Sequence, residues 1–500
     1  MRIVDCYKNL MRAKLISAVK LFNEGEDIIT DLEYNSRSVK KGALFFCKGE
    51  NFKREYLLDA VDKGAVCYVS EHVIMGDNAH KISAIIVNDI RKAMSLLSKE
   101  FYLPTENKIN IVGITGTKGK STTTYMLKSI MNEYLNDKGG DCAYISGIEI
   151  YDGVSHKKAE LTTPETIDLY KHINNAVNSN REMIIIETSS QALKYGRCEG
   201  ITFDEAVLLN ISNDHISERE HPTYEDYVNS KLKIFDSCRK AWINSEIKEY
   251  KEIIDYAKDK CEIKTFGSND DDTVRLLDLN EHHDFLEMTI EIDNAKHKIN
   301  VPMGGDFNSL NALAAISLAY DYGVPMEYIE KGLMNSFVPG RMEIFESDDK
   351  KIVAIIDYAH NGASFEKIFR HISRNYPDRK IAVTFGCVGG KAYNRRKETG
   401  EVSSKYANNI YIVPNNPGEE SYNKIGKEIV SHMEPGPRVV EILNSREEGI
   451  REAFRYAHNT DDKWVILILG KSRDEFQIIG EKKVKCRTNY EIVKEMIENA

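Results

Sequence analysis

The run Gly113-Ile-Thr-Gly-Thr-Lys-Gly-Lys-Ser121 carries the most chemistry per residue in this 500-residue chain. Glycines let backbone N–H groups crowd around phosphate oxygens, and a helix that follows turns its positive end toward them. Read this way, Gly116, Thr117, Lys118 and Gly119 wrap a nucleotide's phosphates. Lys120 reaches the outer phosphates, and Ser121 or Thr122 takes Mg²⁺. The run departs from the strict G-x-x-x-x-G-K-[ST] form: position 114 is Ile, and the nearest upstream glycines are 113 and 116. A glycine-rich turn between strand and helix is the plainer alternative. Glu187 closes a second apolar run and is followed by Thr188-Ser189-Ser190. Mg²⁺ favours one or two carboxylates plus phosphate oxygens, so a carboxylate at that strand end could hold it facing the loop. Asn210, Asp214 and His215 follow a third run. They read equally as a polar site or as a capped helix start at Ser212 or Asn213.

These groups need rigid elements to hold them. "INIVGITG" is a strand-length apolar run before the loop, and residues 121–134 have helical periodicity. Residues 183–188 and 206–212 are further strand candidates. Continuous apolar runs of this kind suit parallel strands covered on both faces. Residues 308–322 read as an Ala- and Leu-rich helix. In the first hundred residues, "GALFFCKG" and "GAVCYVSE" read as strands of a small α/β unit. "FYLPTENKIN" reads as a linker, with Pro104 discouraging helix. Beyond Val338, "IVAIIDYA", "IAVTFGCV", "NIYIVPN", "VVEIL" and "WVILILG" alternate with helix-like segments. That pattern implies a parallel α/β sheet with ligands beyond the carboxyl ends of its strands. The expected fold is α/β in three domains: 1–103, 104–337 and 338–500.

Composition narrows the function classes. Hydrophobic residues make up 42% and charged residues 29%, which excludes a mostly disordered chain. The net charge of -10 argues against wholesale nucleic-acid binding. No apolar run approaches the roughly 18 residues of a membrane-spanning helix. The start, "MRIVDCYKNLMRAKLIS", is broken by charges, so no secretory signal is expected. Nine scattered cysteines without a C-x-x-C pair point to reduced cytoplasmic thiols rather than a disulfide framework or zinc site.

Taken together, the motifs resemble those of the Mur ligases, the ATP-dependent amino acid ligases of peptidoglycan precursor synthesis. "GITGTKGKST" is similar to the family's Thr-Gly-Thr-x-Gly-Lys-Ser/Thr loop. "IIETSSQALKYGR" resembles its Glu-x-Ser-Ser-x-x-Leu…Arg stretch, and "NISNDHISEREHPTYEDYVNSKLKIF" its Asn-x-x-x-Asp-His…His…Tyr-x-x-Ala-Lys-x-x-x-Phe stretch. "GDFNSLNALAA", "VPGRMEIF" and "DYAHNGAS" match later signatures in order. "YNSRSVKKGALFFCKGENF", Thr162-Thr163-Pro164-Glu165 and "GKSRDEFQ" resemble the MurE type, which adds the third residue to UDP-N-acetylmuramoyl-L-alanyl-D-glutamate.

The resemblance implies an N-terminal uridine-nucleotide-binding domain, a central P-loop ATPase domain with a mostly parallel sheet, and a C-terminal Rossmann-like domain for the amino acid. It implies ATP and Mg²⁺, with Lys120 at the transferred phosphoryl. Ser121, Glu187, His215 and Lys231 would lie at the metal, Lys231 as a CO₂-derived carbamate (N6-carboxylysine). Asn308 and Asn311 would lie near adenine. Arg341 and Asp357 would reach ATP from the third domain, with Tyr358 and His360 beside them. Ser36, Thr162, Thr163, Ser189 and Arg197 would hold the uridylyl-muramoyl-peptide. Arg396, Asn415, Asn416, Gly470, Arg473 and Asp474 would line the amino-acid pocket. A cytoplasmic monomer is expected, using a UDP-muramoyl-dipeptide and an amino acid and inserting in no membrane.

Four departures bear on this. Asn35 replaces the Asp of Asp-Ser-Arg, and Gln191 replaces the His after Ser-Ser; both keep hydrogen-bonding capacity. Diaminopimelate ligases carry Asp-Asn-Pro-Arg, where this chain reads Asn415-Asn416-Pro417-Gly418. The loss of that Arg makes lysine or another amino acid plausible, because a bidentate Arg–carboxylate pair is hard to replace. Gly-His-Glu becomes Ser472-Arg473-Asp474, so Arg473 is expected to offer a replacement cation. "GCVGGKAYNRRKETG" also differs from the usual Gly-Gly-Asp-Arg-Asp form, with Arg395 and Arg396 keeping its basic end. Rival readings are a Mur-like ligase with another acceptor (folylpolyglutamate-type or specialised metabolite) and a non-catalytic nucleotide-binding paralogue.

Overall fold

A computed structural model describes residues 1–49, 51–74, 81–103, 109–213, 216–217 and 220–498 of the chain. Pro104 of the expected linker, and Asp214 and His215, therefore lie outside the described residues.

The first sheet holds β1 (Ile16–Lys20), β2 (Asp31–Glu33), β3 (Ala43–Phe46), β4 (Cys67–Ser70) and β5 (Ser83–Val87). Their order is β1-β5-β4-β3-β2, with β1 antiparallel to an otherwise parallel set. Helices α1 (Ile3–Arg12), α2 (Arg54–Asp62) and α3 (Ile90–Tyr102) cover it. β3 and β4 are buried along their whole length, so they read as unbroken apolar runs rather than alternating ones. Asp89 caps α3 by accepting from the N–H groups of Arg91 and Lys92.

The second sheet has eleven strands in the order β16-β15-β14-β13-β12-β11-β6-β10-β7-β8-β9. Its parallel centre comprises β6 (Asn110–Thr115), β7 (Ala143–Ile145), β10 (Met183–Glu187), β11 (Phe203–Leu208), β12 (Cys238–Asn244), β13 (Glu262–Gly267) and β14 (Val274–Glu281). Antiparallel wings extend both edges: β8 (Glu149–Tyr151) and β9 (His156–Lys158) on one side, β15 (Leu286–Ile292) and β16 (Ala295–Val301) on the other. The sequence reading did not include these wings. β15 buries alternate residues only, so it lacks the continuous apolar run that marks the central strands. The helices are α4 (Lys120–Asn136), α5 (Thr166–Asn178), α6 (Ser190–Lys194), α7 (Tyr224–Leu232), α8 (Tyr250–Ala257), α9 (Asn308–Asp321) and α10 (Met326–Met334). α9 is buried on nearly every side and packs against α4, the helix that follows the phosphate loop.

The third sheet runs β17-β18-β22-β19-β20-β21. It contains β17 (Glu343–Glu346), β18 (Ile352–Asp357), β19 (Lys380–Phe385), β20 (Asn409–Ile412), β21 (Val439–Ile442) and β22 (Trp464–Leu469), parallel except for the edge strand β17. α11 (Gly362–Asn375), α12 (Asn394–Tyr406), α13 (Tyr422–Ser431), α14 (Arg446–His458) and α15 (Asn489–Glu498) flank it, and a hairpin, β23 (Phe476–Ile479) with β24 (Lys482–Lys485), stands apart. β22 returns between β18 and β19, so neighbouring strand ends diverge there and leave a crevice at their carboxyl ends. The domain seats on the second through Glu281 of β14. Its carboxylate accepts from His371 Nδ1 and Arg374 Nη1 of α11, each at 2.6 Å. Among the described residues no helix is long and apolar enough to cross a membrane.

Candidate active site

The phosphate loop leaves β6 and enters α4 at Lys120. Gly119 makes the turn with φ +87°, and a β-carbon there would stand 2.0 Å from Asn311 Oδ1. Glycine is therefore required twice, for a left-handed backbone and for the close approach of α9. Asn308 Oδ1 accepts from Asn311 Nδ2 (3.1 Å), and Asn308 Nδ2 donates to Gly304 O (2.8 Å). The two asparagines thus brace the loop and the turn before α9.

Asn210, past the end of β11, holds the loop from the other side. Its Oδ1 accepts from Lys118 N (2.9 Å) and its Nδ2 donates to Lys118 O (3.0 Å). Tyr227 of α7 donates its hydroxyl to Thr117 Oγ1 (2.9 Å). Neither residue type announces this role. Only the packing of α7 under the loop reveals it.

Two lysines converge on one oxygen. Lys120 Nζ and Lys231 Nζ each lie 2.9 Å from Gly116 O, and Lys120 also reaches Thr117 O (3.2 Å). Lys231 is 1% exposed. Its amine also lies 4.6 Å from the Tyr227 ring centre.

Glu187 ends β10 one strand over. It is buried, and its Oε1 accepts from Gly147 N (3.0 Å). Burial pushes its carboxyl up, while Lys120, the Gly147 N–H, Ser121 and Arg341 work against that rise. Among the described residues no group of three or more His, Cys, Asp or Glu forms a cage. One buried carboxylate beside a phosphate loop and Ser121 nonetheless fits Mg²⁺, which keeps waters and takes phosphate oxygens. Thr122 is buried in the same first turn of α4.

Thr162, Thr163, Ser189 and Arg197 come together beside this carboxylate. Thr163 Oγ1 donates to Glu187 O (2.7 Å) and accepts from Ser189 N (2.9 Å), and Arg197 Nη1 donates to Thr163 O (3.1 Å). A β-carbon on Gly147 would lie 3.4 Å from Thr162 Oγ1 and 3.7 Å from Glu187 Oε2, so both side chains flank that glycine. Ser36 shares no hydrogen bond with this cluster. It sits in the first domain, where Lys63 Nζ donates to its carbonyl (2.9 Å). The buried His221 clamps α6 to α7, with Nδ1 2.7 Å from Asp226 Oδ2 and Nε2 3.0 Å from Ser190 Oγ.

The third domain meets the loop directly. Lys118 Nζ lies 3.2 Å from His360 Nε2, while His360 Nδ1 lies 2.8 Å from Tyr358 O. A carbonyl only accepts, so the proton sits on Nδ1 and Nε2 accepts from the lysine. Asp357 ends β18, accepting from Met342 N (3.0 Å) and Ala359 N (2.7 Å). Burial raises its carboxyl, against Arg341, those two N–H groups and Lys118. Arg341 stacks 4.5 Å from the Tyr358 ring centre.

Two arginines expected in the amino-acid pocket are paired with carboxylates. Arg396 lies in the first turn of α12. It is 1% exposed and clamped by Glu420 (Nη1–Oε1 2.9 Å, Nη2–Oε2 2.6 Å) and Glu428 (2.6 Å). Arg473 is likewise committed, making two 2.9 Å bonds to Glu343 and stacking 3.9 Å from the Tyr490 ring centre. Carboxylates from segments distant in the chain pair with both guanidiniums, and spacing in the sequence cannot show that. Asn415 Nδ2 donates to Gly386 O (2.9 Å) and lies against Gly470, closing the crevice floor between β19 and β22. Asn416 Oδ1 accepts from Ile478 N (3.0 Å) of the hairpin. Asp474 is half-exposed, 3.8 Å from the buried Lys471. Gly418 has φ +60° and open space where a side chain would go.

Comparison with known proteins follows the same outline. The profile described as "Mur ligase middle domain" matches residues 114–319, and that described as "Mur ligase, glutamate ligase domain" matches residues 340–472. With the loop and its facing domain, these define the class of protein: an ATP-dependent ligase. The UDP-N-acetylmuramoyl-L-alanyl-D-glutamate–L-lysine ligase of Streptococcus pneumoniae is 35% identical over 464 residues, covering 92% of each chain. The UDP-N-acetylmuramyl-tripeptide synthetase of Lactobacillus delbrueckii subsp. bulgaricus is 33% identical over 496 residues, covering 95% of this chain and 94% of its own. A solved UDP-N-acetylmuramoyl-L-alanyl-D-glutamate–2,6-diaminopimelate ligase has the same fold, with TM-score 0.66 at 19% identity over 100% of this chain and 99% of that one. The chain belongs to the Mur ligase family.

Proposed function

We propose that this protein adds the third residue, L-lysine first and meso-diaminopimelate second, to the D-glutamate side-chain carboxylate of UDP-N-acetylmuramoyl-L-alanyl-D-glutamate, in peptidoglycan precursor synthesis. The observation that carries the reading is the convergence on one phosphate loop of Lys120, Lys231 and Glu187 from the second domain and His360 and Asp357 from the third. The names of the relatives support the acceptor. Lysine is favoured because Gly418 offers no cation and Arg396 and Arg473 are already paired with carboxylates, leaving a second substrate carboxylate unmatched.

The γ-phosphoryl of ATP passes to the carboxylate oxygen, releasing ADP and forming an acyl phosphate. The amine nitrogen attacks the carbonyl carbon, the tetrahedral intermediate expels phosphate, and the nitrogen loses its proton. Lys120 neutralises the phosphoryl oxygens, and the Gly-rich backbone orients them. Ser121, Glu187 and Lys231 as a carbamate would hold Mg²⁺, which supplies charge neutralisation between the phosphates and the acceptor. His215, expected beside them, lies outside the described residues. Thr162, Thr163, Ser189 and Arg197 orient the muramoyl-peptide, and Ser36 contacts the uridine nucleotide. Arg341 and Asp357 engage ATP, and Asn415, Asn416, Gly470 and Asp474 face the amino acid. Domains 1–103, 104–337 and 338–500 divide these tasks in a cytoplasmic monomer.

The test is phosphate release with Mg-ATP and the UDP-muramoyl-dipeptide, across lysine, meso-diaminopimelate and ornithine. Turnover with lysine is expected. Silence with every amino acid, from folded protein that binds ATP, would overturn the assignment in favour of another acceptor or a non-catalytic paralogue.

A further inference from the structure

The carboxylate of Glu281 serves two domains at once. Glu281 closes β14, and its Oε1 accepts from Asp306 N (3.1 Å) in the turn that leads into α9. The same oxygen accepts from His371 Nδ1 of the third domain (2.6 Å), and Oε2 accepts from Arg374 Nη1 (2.6 Å). His371 Nε2 lies 3.2 Å from His283 O, in the turn after β14. An ionised carboxylate and a carbonyl only accept, so both ring nitrogens donate. Asn375 Nδ2, 3.1 Å from His371 Nδ1, donates to His371 O (3.0 Å).

These contacts follow one face of α11. Lys367, His371 and Arg374 are spaced four and three residues apart, which stacks them on a single side of a helix. Lys367 Nζ stands 5.6 Å from the Phe307 ring centre, and a β-carbon on Gly304 would stand 2.8 Å from His371 Nε2. The face therefore lies directly along residues 304–307. The His371 and Glu281 side chains are 2% and 8% exposed, so water does little to weaken their bond. Burial works to raise the Glu281 carboxyl, yet His371 and Arg374 hold it below the ordinary range.

The turn that Glu281 holds supports the phosphate loop. Asn308 donates to Gly304 O and accepts from Asn311, whose side chain packs against Gly119. His360, two residues before α11, meets Lys118 of the same loop. The third domain thus touches the second near both ends of α11, once at the loop and once at the turn that braces it. We propose that Glu281 is a positioning residue for the nucleotide, fixing the third domain through His371 and Arg374 against the turn that begins α9, so that both walls of the ATP site share one reference point. The inference rests on the engagement of ATP by Arg341 and Asp357 proposed above.

Calorimetric titration of the full-length protein with Mg²⁺ and a non-hydrolysable ATP analogue tests it, because affinity and stoichiometry are read together. Glu281→Gln and His371→Gln should each weaken the analogue about tenfold at unchanged stoichiometry, and the double variant should be no more than about twofold weaker than either. A merely structural role would lower the stoichiometry, as the folded fraction falls, and leave the affinity of the remainder unchanged. Arg374→Glu guards against misfolding, since that side chain is 62% exposed. It sets a second carboxylate against Glu281 and should weaken the analogue about fivefold, with circular dichroism unchanged. Affinity within twofold of the unmodified protein in folded Arg374→Glu, lowered stoichiometry at unchanged affinity in the Gln variants, or additive losses in the double variant would overturn the positioning role. Failure of the ATP reading itself is seen separately, as no binding by the unmodified protein, and would take the inference with it.

Discussion

Lys120 and Lys231 direct their amines at the same carbonyl oxygen, Gly116 O, each from 2.9 Å. They come from different helices more than a hundred residues apart, and Lys231 is buried. The proposed mechanism gives them different roles, Lys120 at the phosphoryl group and Lys231 as a carbamate at Mg²⁺.

Lys231→Ala should therefore reduce turnover by at least about a hundredfold, and millimolar short-chain carboxylates should restore part of it. Lys120→Ala should reduce turnover further without rescue. The measurement is phosphate release with and without added formate or acetate, alongside circular dichroism to confirm folding. Rescue of Lys120→Ala but not of Lys231→Ala would contradict the division of roles.

Gly119→Ala should abolish ATP binding, because its β-carbon would overlap Asn311 Oδ1 and the left-handed backbone alone costs about 1–2 kcal/mol. Adding Asn311→Ala should recover folding stability, because the overlap is with that side chain, but not full activity. Nucleotide titration and thermal unfolding of the two variants separate overlap from backbone strain.

Burial raises the carboxyls of Glu187 and Asp357 above the ordinary carboxylate range. A carboxyl raised on folding contributes stability below its unfolded pKa of about 4, and that contribution is lost as pH rises through its folded value. Ligand-free protein should thus be stabilised by Glu187→Gln near neutral pH, by about 1–3 kcal/mol, with no gain near pH 4. The same change should abolish turnover. Thermal unfolding at the two pH values checks the sign, and a loss of stability near neutrality would show that the charge is better compensated than its surroundings indicate.

Arg396→Gln should destabilise the third domain by about 2–3 kcal/mol, because Glu420 and Glu428 lose their shared cation, while the KM for the amino acid stays near its unmodified value. The partial exposure of those carboxylates keeps the figure below that for a fully buried pair. A large KM change with unaltered stability would return Arg396 to the pocket.

Gly418→Arg should increase acceptance of meso-diaminopimelate relative to lysine, read as a ratio of kcat/KM values. The side chain enters open space, and the cost is about 1–2 kcal/mol for the positive φ. An unchanged ratio would mean that specificity is set elsewhere in the crevice.

The parallel strands and the helices between them were legible because their residues are buried on both faces and form unbroken apolar runs, as in "MIIIE" and "WVILIL". The phosphate loop was legible because glycine, lysine and serine at a strand–helix junction have few other uses. The edge wings were not, since β15 hides its periodicity among charged residues and β9 is exposed throughout.

Residue type and order by themselves determined the three-part α/β layout, the loop and the acidic strand end that faces it. Tertiary structure alone decided which charges are available. Arg396 and Arg473 read as candidate substrate cations in the sequence, and the fold pairs them with Glu420, Glu428 and Glu343. Charge pairing depends on distances between residues far apart in the chain, and in a low-dielectric cleft those distances decide whether a cation is already neutralised or still attracts an anion.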